Sequence, residues 1–309
     1  VAVIEKPLKK NQISLVKGEI MIKKEKAPLT LVQFENKDIS GLVELSASVG
    51  WDYDEQEIGT VMASGKIFGH KNAEGKIVSS AAIIKYDGNL ASIGMVIVNN
   101  DFRGLGLGKE VTQKCIDYFS NELSVMLIAT EEGKPLYEKM GFKAVDSVHK
   151  FLCDTYDVTK SIVNNNFTVE NCTESDFNEI IKLDEAAFGN KRSHFLHQRI
   201  KQSKQCLAVK DSQGNIIGYG LSVSGPVNLI LGPVVAPTTH IAALILDNLA
   251  YGQQGKLRID VPSGNDEFML FLENKGFVKV STPPVMLINA AELPFRNNTL
   301  FAIAAQVFG

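Results

Sequence analysis

The sequence predicts a mixed α/β fold (an α+β mixed sheet) present twice in tandem. Three observations predict it. The chain has 309 residues, about two domains at roughly 150 residues each. Its composition, 45% hydrophobic and 22% charged, is that of a globular protein able to bury a sizeable core. Four short segments recur in order. Asp38-Ile39 answers to Asp176-Phe177, Glu74-Gly75-Lys76-Ile77-Val78 to Gln213-Gly214-Asn215-Ile216-Ile217, Gly94-Met95-Val96 to Gly232-Pro233-Val234, and Glu138 to Phe142 to Glu273 to Phe277. The offsets are 138, 139, 138 and 135 residues, a drift that loop insertions produce.

Residues 1–26 carry seven lysines and almost no apolar periodicity. They are expected to form a flexible N-terminal leader, the alternative being a first strand or arm. Lys17-Gly18-Glu19-Ile20 before Met21 fits a purine-rich ribosome-binding tract. A bacterial gene would then begin at Met21, with Val1 an over-extended GTG start. The first copy is expected over 27–153. Leu29–Phe34 forms a strand. A helix follows, with Asp38 as N-cap and Ile39, Leu42, Val43 and Leu45 on its inner face. Strands 66–70 and 77–86 flank the turn Asn72-Ala73-Glu74-Gly75, a hairpin signal. Leu90–Val98 is a strand, Gly108–Asn121 a helix and Val125–Ala129 a strand. Lys134–Met140 is a short helix closed by Gly141. Segments 142–145 and 150–153 suggest final strands. A polar linker spans 154–166, ending in three asparagines. The second copy occupies 167–309.

Strand 93–98 runs into Arg103-Gly104-Leu105-Gly106-Leu107-Gly108-Lys109 and then a helix. Alternate glycines let a backbone approach a bulky anion. Free N–H groups at a helix start favour negative charge, and Arg103 and Lys109 add to it. The segment is built for a phosphate or pyrophosphate. It is not a P-loop, because Gly108-Lys109 is followed by Glu110. It is not a dinucleotide fingerprint either: the spacing is GxGxG, after several strands rather than the first.

Arg103 to Gly108 resembles the R/Q-x-x-G-x-G/A signature of the GCN5-related N-acetyltransferases (GNAT). Pro135-Leu136-Tyr137-Glu138-Lys139-Met140-Gly141-Phe142 resembles their second signature, LYEKLGF. The resemblance covers residues 29–152, with order and spacing kept. The tandem arrangement looks closest to a bacterial subgroup of two-domain acetyltransferases. The resemblance implies two tandem acyl-CoA N-acyltransferase (GNAT) folds and acetyl-CoA as co-substrate, with no metal. It implies that the amides of Arg103, Gly104, Leu105, Gly106, Leu107 and Gly108 cradle the pyrophosphate, with Lys109 nearby. It places Met95, Val96 and Val98 along the pantetheine arm. The amides of Met95 and Val96 would face the acetyl carbonyl, where donors stabilise a developing oxyanion.

The resemblance makes Tyr137 the acid that protonates the departing thiolate; a core aromatic is the alternative. For the general base the sequence offers Glu131 and Glu132, which follow strand 125–129. Two solvated loop acids, or a water chain without a dedicated base, are equally compatible. The acceptor side is expected in Trp51-Asp52-Tyr53-Asp54-Glu55, where aromatic and acidic residues suit a cationic amine. An exposed acidic helix start is the rival reading.

In the second copy the glycine loop is replaced by Ala236-Pro237-Thr238-Thr239-His240, and Tyr137 aligns with Leu272. That copy is expected to keep the fold and to have lost the site. His194 and His197 have helical spacing but no evident metal partners, so a surface helix is expected. The second copy would complete an acceptor pocket between the domains, form a homodimer surface or bind a regulator. The function expected is acetyl transfer to a primary amine of a small-molecule or peptide acceptor. The alternative is a catalytically silent acyl-CoA-binding sensor or scaffold. Net charge -3 argues against a nucleic-acid partner. The longest apolar runs fall far short of a membrane span. Four cysteines (Cys115, Cys153, Cys172, Cys206) without CxxC spacing suit a reducing cytoplasm.

Overall fold

The computed structural model describes residues 28–119, 123–156 and 167–309. The expected leader, the start at Met21 and most of the 154–166 linker lie outside the described residues. The first half contains β1 (Thr30–Gln33), α1 (Ile39–Ser48), α2 (Glu55–Ser64), β2 (Lys66–Lys71), β3 (Ser79–Lys85), β4 (Leu90–Val98), α3 (Leu107–Tyr118), β5 (Ser124–Ile128), α4 (Lys134–Lys139) and β6 (Lys143–Cys153). The second repeats that order. It has β7 (Phe167–Asn171), α5 (Phe177–Phe188), α6 (Ser193–Gln202), β8 (Gln205–Asp211), β9 (Ile216–Ser224), β10 (Asn228–Val235), α7 (Thr239–Ala250), β11 (Lys256–Pro262), α8 (Asp266–Asn274), β12 (Val278–Ser281), β13 (Pro284–Ile288) and β14 (Leu300–Ala302).

Local sequence explains most boundaries. Gly75 closes the β2–β3 connection with positive φ, and Asn72 accepts from the amides of Gly75 and Lys76. Gly141, also at positive φ, ends α4. Asp38 differs from expectation. Its carboxylate does not cap α1 but accepts from the Glu35 amide and pairs with Lys71, so a 3-10 turn precedes the helix. Helix α2 begins in the acidic segment that the rival reading took as a helix start; Asp54 caps it by accepting from the Glu57 amide at 2.8 Å. Helix α3 ends at Tyr118 rather than Asn121, with Phe119 already extended.

The sheet runs β1-β2-β3-β4-β5-β13-β6-β11-β10-β9-β8-β7. The last strands of the halves are exchanged. Strand β6 is one continuous strand, not the two short ones expected. Its first part pairs with β13, and residues 148–153 pair with β11 of the second half. In return β13 lies between β5 and β6, completing the sheet of the first half. The same 148–153 stretch lies beside β12 over Lys150–Leu152. Both strands are edges in an isolated half, and pairing them satisfies backbone groups that would otherwise be exposed.

Helices α3 and α4 cover one face of the first sheet, and α7 and α8 cover the matching face of the second. Between the halves lies a shared core. Leu42, Ile58 and Tyr86 meet Phe188, Phe195 and Phe308 there. Two buried ion pairs sit in or beside it. Arg192 donates from Nε and Nη2 to the two oxygens of Asp184 at 2.8 and 2.9 Å, and its guanidinium lies over the Phe188 ring at 3.8 Å. Tyr219 donates to the same carboxylate. Arg199 donates to Glu57 at 2.5 Å, across the boundary between the halves.

Removing one member of a buried pair leaves the other charged and unpartnered. Arg192→Ala is therefore expected to lower stability by about 3–5 kcal/mol in denaturant unfolding. A loss under about 1 kcal/mol would contradict the buried pairing.

Candidate active site

Strands β4 and β5 pair in parallel only over Leu90–Ile93 with Ser124–Leu127. Beyond Ile93 they part. Met95 has φ of 51°, and the β3–β4 register shifts between Ser80 and Ala82. This bulge turns β4 away from β5. Ser80 holds it by donating to the Met95 carbonyl at 2.8 Å. The result is a cleft of about 400 Å³ between the splayed strands.

The glycine loop closes one end of that cleft. Gly104 and Gly106 have φ of 76° and 82°, values that favour glycine. A Cβ on either would project into open space. Gly106 is the residue before α3. Among the described residues, the amides of Gly104 to Lys109 have no hydrogen-bond acceptor. Arg103 and Lys109 line the cleft beside them. Unused amides at a helix start, with two cations and room where side chains would stand, fit a pyrophosphate.

Tyr137, on α4, lines the same cleft and is 7% exposed. Burial pushes its phenol well above the ordinary range, so it is protonated at neutral pH. Met95, Val96 and Val98 all line the cleft; the Met95 side chain is itself buried. Leu105 is exposed. The two candidate bases part company. Glu132 pairs with Arg103 at the cleft, whereas Glu131 faces a second cavity.

That second cavity, about 380 Å³, lies between the halves. Trp51, Asp52 and Tyr53 line it. Trp51, Gly94, Met95, Ile128 and Thr130 border both cavities, so the two meet at the β4 bulge. Lys150 of β6 and Arg258 of β11, which the sequence reading missed, line the second cavity as well. A signal for Arg258 was available. Leu257-Arg258-Ile259-Asp260-Val261 puts two opposite charges on one face of an otherwise apolar strand. Nothing in the sequence announced Lys150.

The equivalent cleft in the second half is filled by the chain itself. Strands β10 and β11 pair in parallel over Asn228–Ile230 with Lys256–Arg258, then part as β4 and β5 do. There β14 pairs with β10 through Val234 and Val235, and the Ile303 amide donates to the Asp260 carbonyl. Thr238 caps α7 by accepting from the Ile241 amide. Leu272, at the Tyr137 position, is fully buried. His194 and His197 are exposed on α6, with His194 facing the Ala63 carbonyl at 2.8 Å. Among the described residues no cluster of three metal-ligating side chains occurs, and no helix is long and apolar enough to cross a membrane.

Comparison with known proteins agrees with this geometry. Family models described as the acetyltransferase (GNAT) domain match residues 51–151 and, separately, 180–302. An uncharacterized N-acetyltransferase of Bacillus subtilis strain 168, YitH, is 38% identical over 281 residues, 90% of this chain and 98% of the relative.

The chain belongs to the GNAT acetyltransferase family.

It carries two GNAT domains in tandem. A solved protein of Pyrococcus horikoshii, described as a candidate acetyltransferase, has the same fold with a TM-score of 0.77 and 18% identity over 91% of this chain and 96% of that one. A tandem GNAT protein from the clavulanic acid biosynthesis pathway has a TM-score of 0.65 and 12% identity, covering 86% of this chain and 100% of that one. GNAT enzymes transfer acyl groups and use acetyl-CoA as co-substrate.

The raised Tyr137 pKa carries a pH consequence. A phenol whose folded pKa exceeds its unfolded value favours the fold below about pH 10, and that contribution is lost as pH rises further. An ultraviolet titration of the folded protein against Tyr137→Phe should show no Tyr137 phenolate up to about pH 10. A midpoint at the ordinary phenol value would refute the buried placement.

Proposed function

We propose that the first half transfers the acetyl group of acetyl-CoA to a primary amine held in the cavity between the halves. The observation that carries this reading is the junction of the two cavities at the Gly94–Met95 bulge. One cavity fits an elongated, pyrophosphate-bearing group. The other opens onto it from the acceptor side.

The loop amides from Gly104 to Lys109 would hold the pyrophosphate, with Arg103 released from Glu132 to join them. The β4 backbone past Ile93 has no β5 partner, which leaves it available to an extended arm alongside Met95, Val96 and Val98. Bound there, acetyl-CoA supplies a thioester, an acyl donor to amines. The amides at the bulge would donate to the carbonyl oxygen as charge develops on it. Glu131 borders the acceptor cavity and would take the amine proton, directly or through water. Tyr137, protonated, would give its proton to the leaving sulfur. Positioning of the amine against the acyl carbon contributes much of the rate. Trp51, Asp52 and Tyr53 would form the aromatic and acidic wall for the incoming amine.

The second half lacks the loop, the tyrosine and the open cleft, so its part is to wall the acceptor cavity. Three measurements test the reading. Calorimetry should count one acetyl-CoA site per chain, and Gly106→Glu should abolish it by steric block and charge repulsion. Tyr137→Phe should lower kcat by roughly 10²-fold or more with little change in acetyl-CoA affinity. Two sites, or an unchanged kcat, would refute the respective assignments. Binding without turnover on any amine would favour a sensor instead.

A further inference from the structure

The cavity between the halves presents charges of both signs that are incompletely satisfied by the protein. Lys150 lines it and makes no hydrogen bond or ion pair with any described residue. Arg258 lines it as well. Its Nε donates to Asp260 at 2.8 Å, but neither terminal nitrogen has an acceptor among the described residues. The second Asp260 oxygen accepts from Gln306 at 2.9 Å, so that carboxylate is occupied from two sides. Lys150 and Asp260 are cross-strand partners on β6 and β11, and Arg258 follows two positions along the same face. The two cations are thus neighbours, and burial, with Arg258 beside it, lowers the Lys150 pKa against the opposing pull of Asp260 and Asp52.

The acids of the cavity differ in availability. Glu57 is held by Arg199 and Gln202, and the Asp54 carboxylate caps α2. Among the described residues Asp52 and Glu131 are in no ion pair, though Asp52 is near enough to Lys150 and Arg258 to favour their charged forms. Glu131 follows Thr130, which borders the bulge, whereas Lys150 and Arg258 come from the paired strands β6 and β11.

We infer that the acceptor is an amine that also carries an anionic group, a carboxylate or a phosphate. Its amine would lie toward Glu131 and the bulge, and its anion against Arg258 and Lys150. The inference rests on the transferase reading for the role of the amine, but the anion site stands on the cavity alone. Lys150 is in no ion pair with a described residue, Arg258 spends only its Nε on Asp260, and the free terminal guanidinium edge suits the paired oxygens of either anion. An amine without an anionic group would leave the terminal guanidinium edge and the Lys150 ammonium without a ligand acceptor.

Calorimetric titrations with coenzyme A present test this. The probes are ω-amino carboxylates from glycine to 6-aminohexanoate, each beside the alkylamine of equal length, with 2-aminoethyl phosphate beside ethylamine. The best amino carboxylate or amino phosphate should bind roughly tenfold or more tighter than its alkylamine. The better of the two anions identifies the group. In Arg258→Met the ratio should fall toward one. Lys150 has no partner to orphan, so Lys150→Met supplies the same test should Arg258→Met fail to fold. Equal affinities in the unmodified protein, or a preference that survives both substitutions, would overturn the inference. Turnover separates it from the transferase reading. An anion preference without acetylation of any amine removes that reading and keeps this one. Acetylation of alkylamines with no anion preference does the reverse.

Discussion

The exchange of final strands between the halves is the constraint on which the rest of the structure depends. Strand β13 pairs with β5 and with the first part of β6, while residues 148–153 pair with β11. Without the exchange β5, whose faces are largely buried, would present an open edge of unpaired backbone groups. Open edges of that kind are sites of misassociation. The exchange also fixes where one half sits against the other. Register in a paired strand is set by which face is buried, and here that face continues from one sheet into the next. Lys150 therefore reaches the cavity between the halves only because its strand has crossed into the second sheet, opposite Asp260.

The two clefts show how one fold gains and loses a ligand site. Both halves contain a parallel strand pair that separates after a few residues. In the first, the separated backbone faces an open cleft. In the second, residues 300–303 enter the gap and take up the hydrogen-bonding groups of β10 and β11. A Cβ on Gly232, the counterpart of Gly94, would stand 2.1 Å from the Ile303 carbonyl, so the insertion is close. The chain then continues to the first half. Ser92 donates to the Val307 carbonyl at 2.9 Å, and a Cβ on Gly94 would meet Val307 at 2.5 Å. The segment that blocks one cleft thus buttresses the strand that shapes the other.

Much of this was legible in the sequence, and the limits have physical causes. The repeat, the order of elements, the glycine loop and the tyrosine-bearing helix all depend on short segments whose residue types answer to local backbone geometry. Leu90–Val98 and the Gly75 and Gly141 turns are of that kind. The strand exchange was not legible. Residues 143–153 and 278–288 carry no mark of which sheet they join, because either sheet offers the same apolar surface. The burial of Arg192 was equally hidden. Its partners Asp184, Tyr219 and Phe188 are brought together by a helix break at Gly189 and by tertiary packing. The site divides in the same way. The loop side was found from local signals, and the acidic wall at Trp51–Tyr53 from composition. The basic wall joins residues more than a hundred positions apart.

The second half also controls the charge of the cavity by subtraction. Arg199 neutralises Glu57, and Gln202 donates to the same carboxylate at 2.7 Å. Arg199 in turn donates to the Ala304 carbonyl at 2.7 Å, within the segment that fills the second cleft. A buried charge without a partner is costly, so the half that buries Glu57 also supplies the Arg199 and Gln202 donors that hold it. With Glu57 satisfied and Asp54 capping α2, the cavity is left with Asp52 and Glu131 as acids and with Lys150 of β6 and Arg258 of β11 as cations. The second half thus contributes to the cavity through its packing and its charges rather than through a glycine loop of its own.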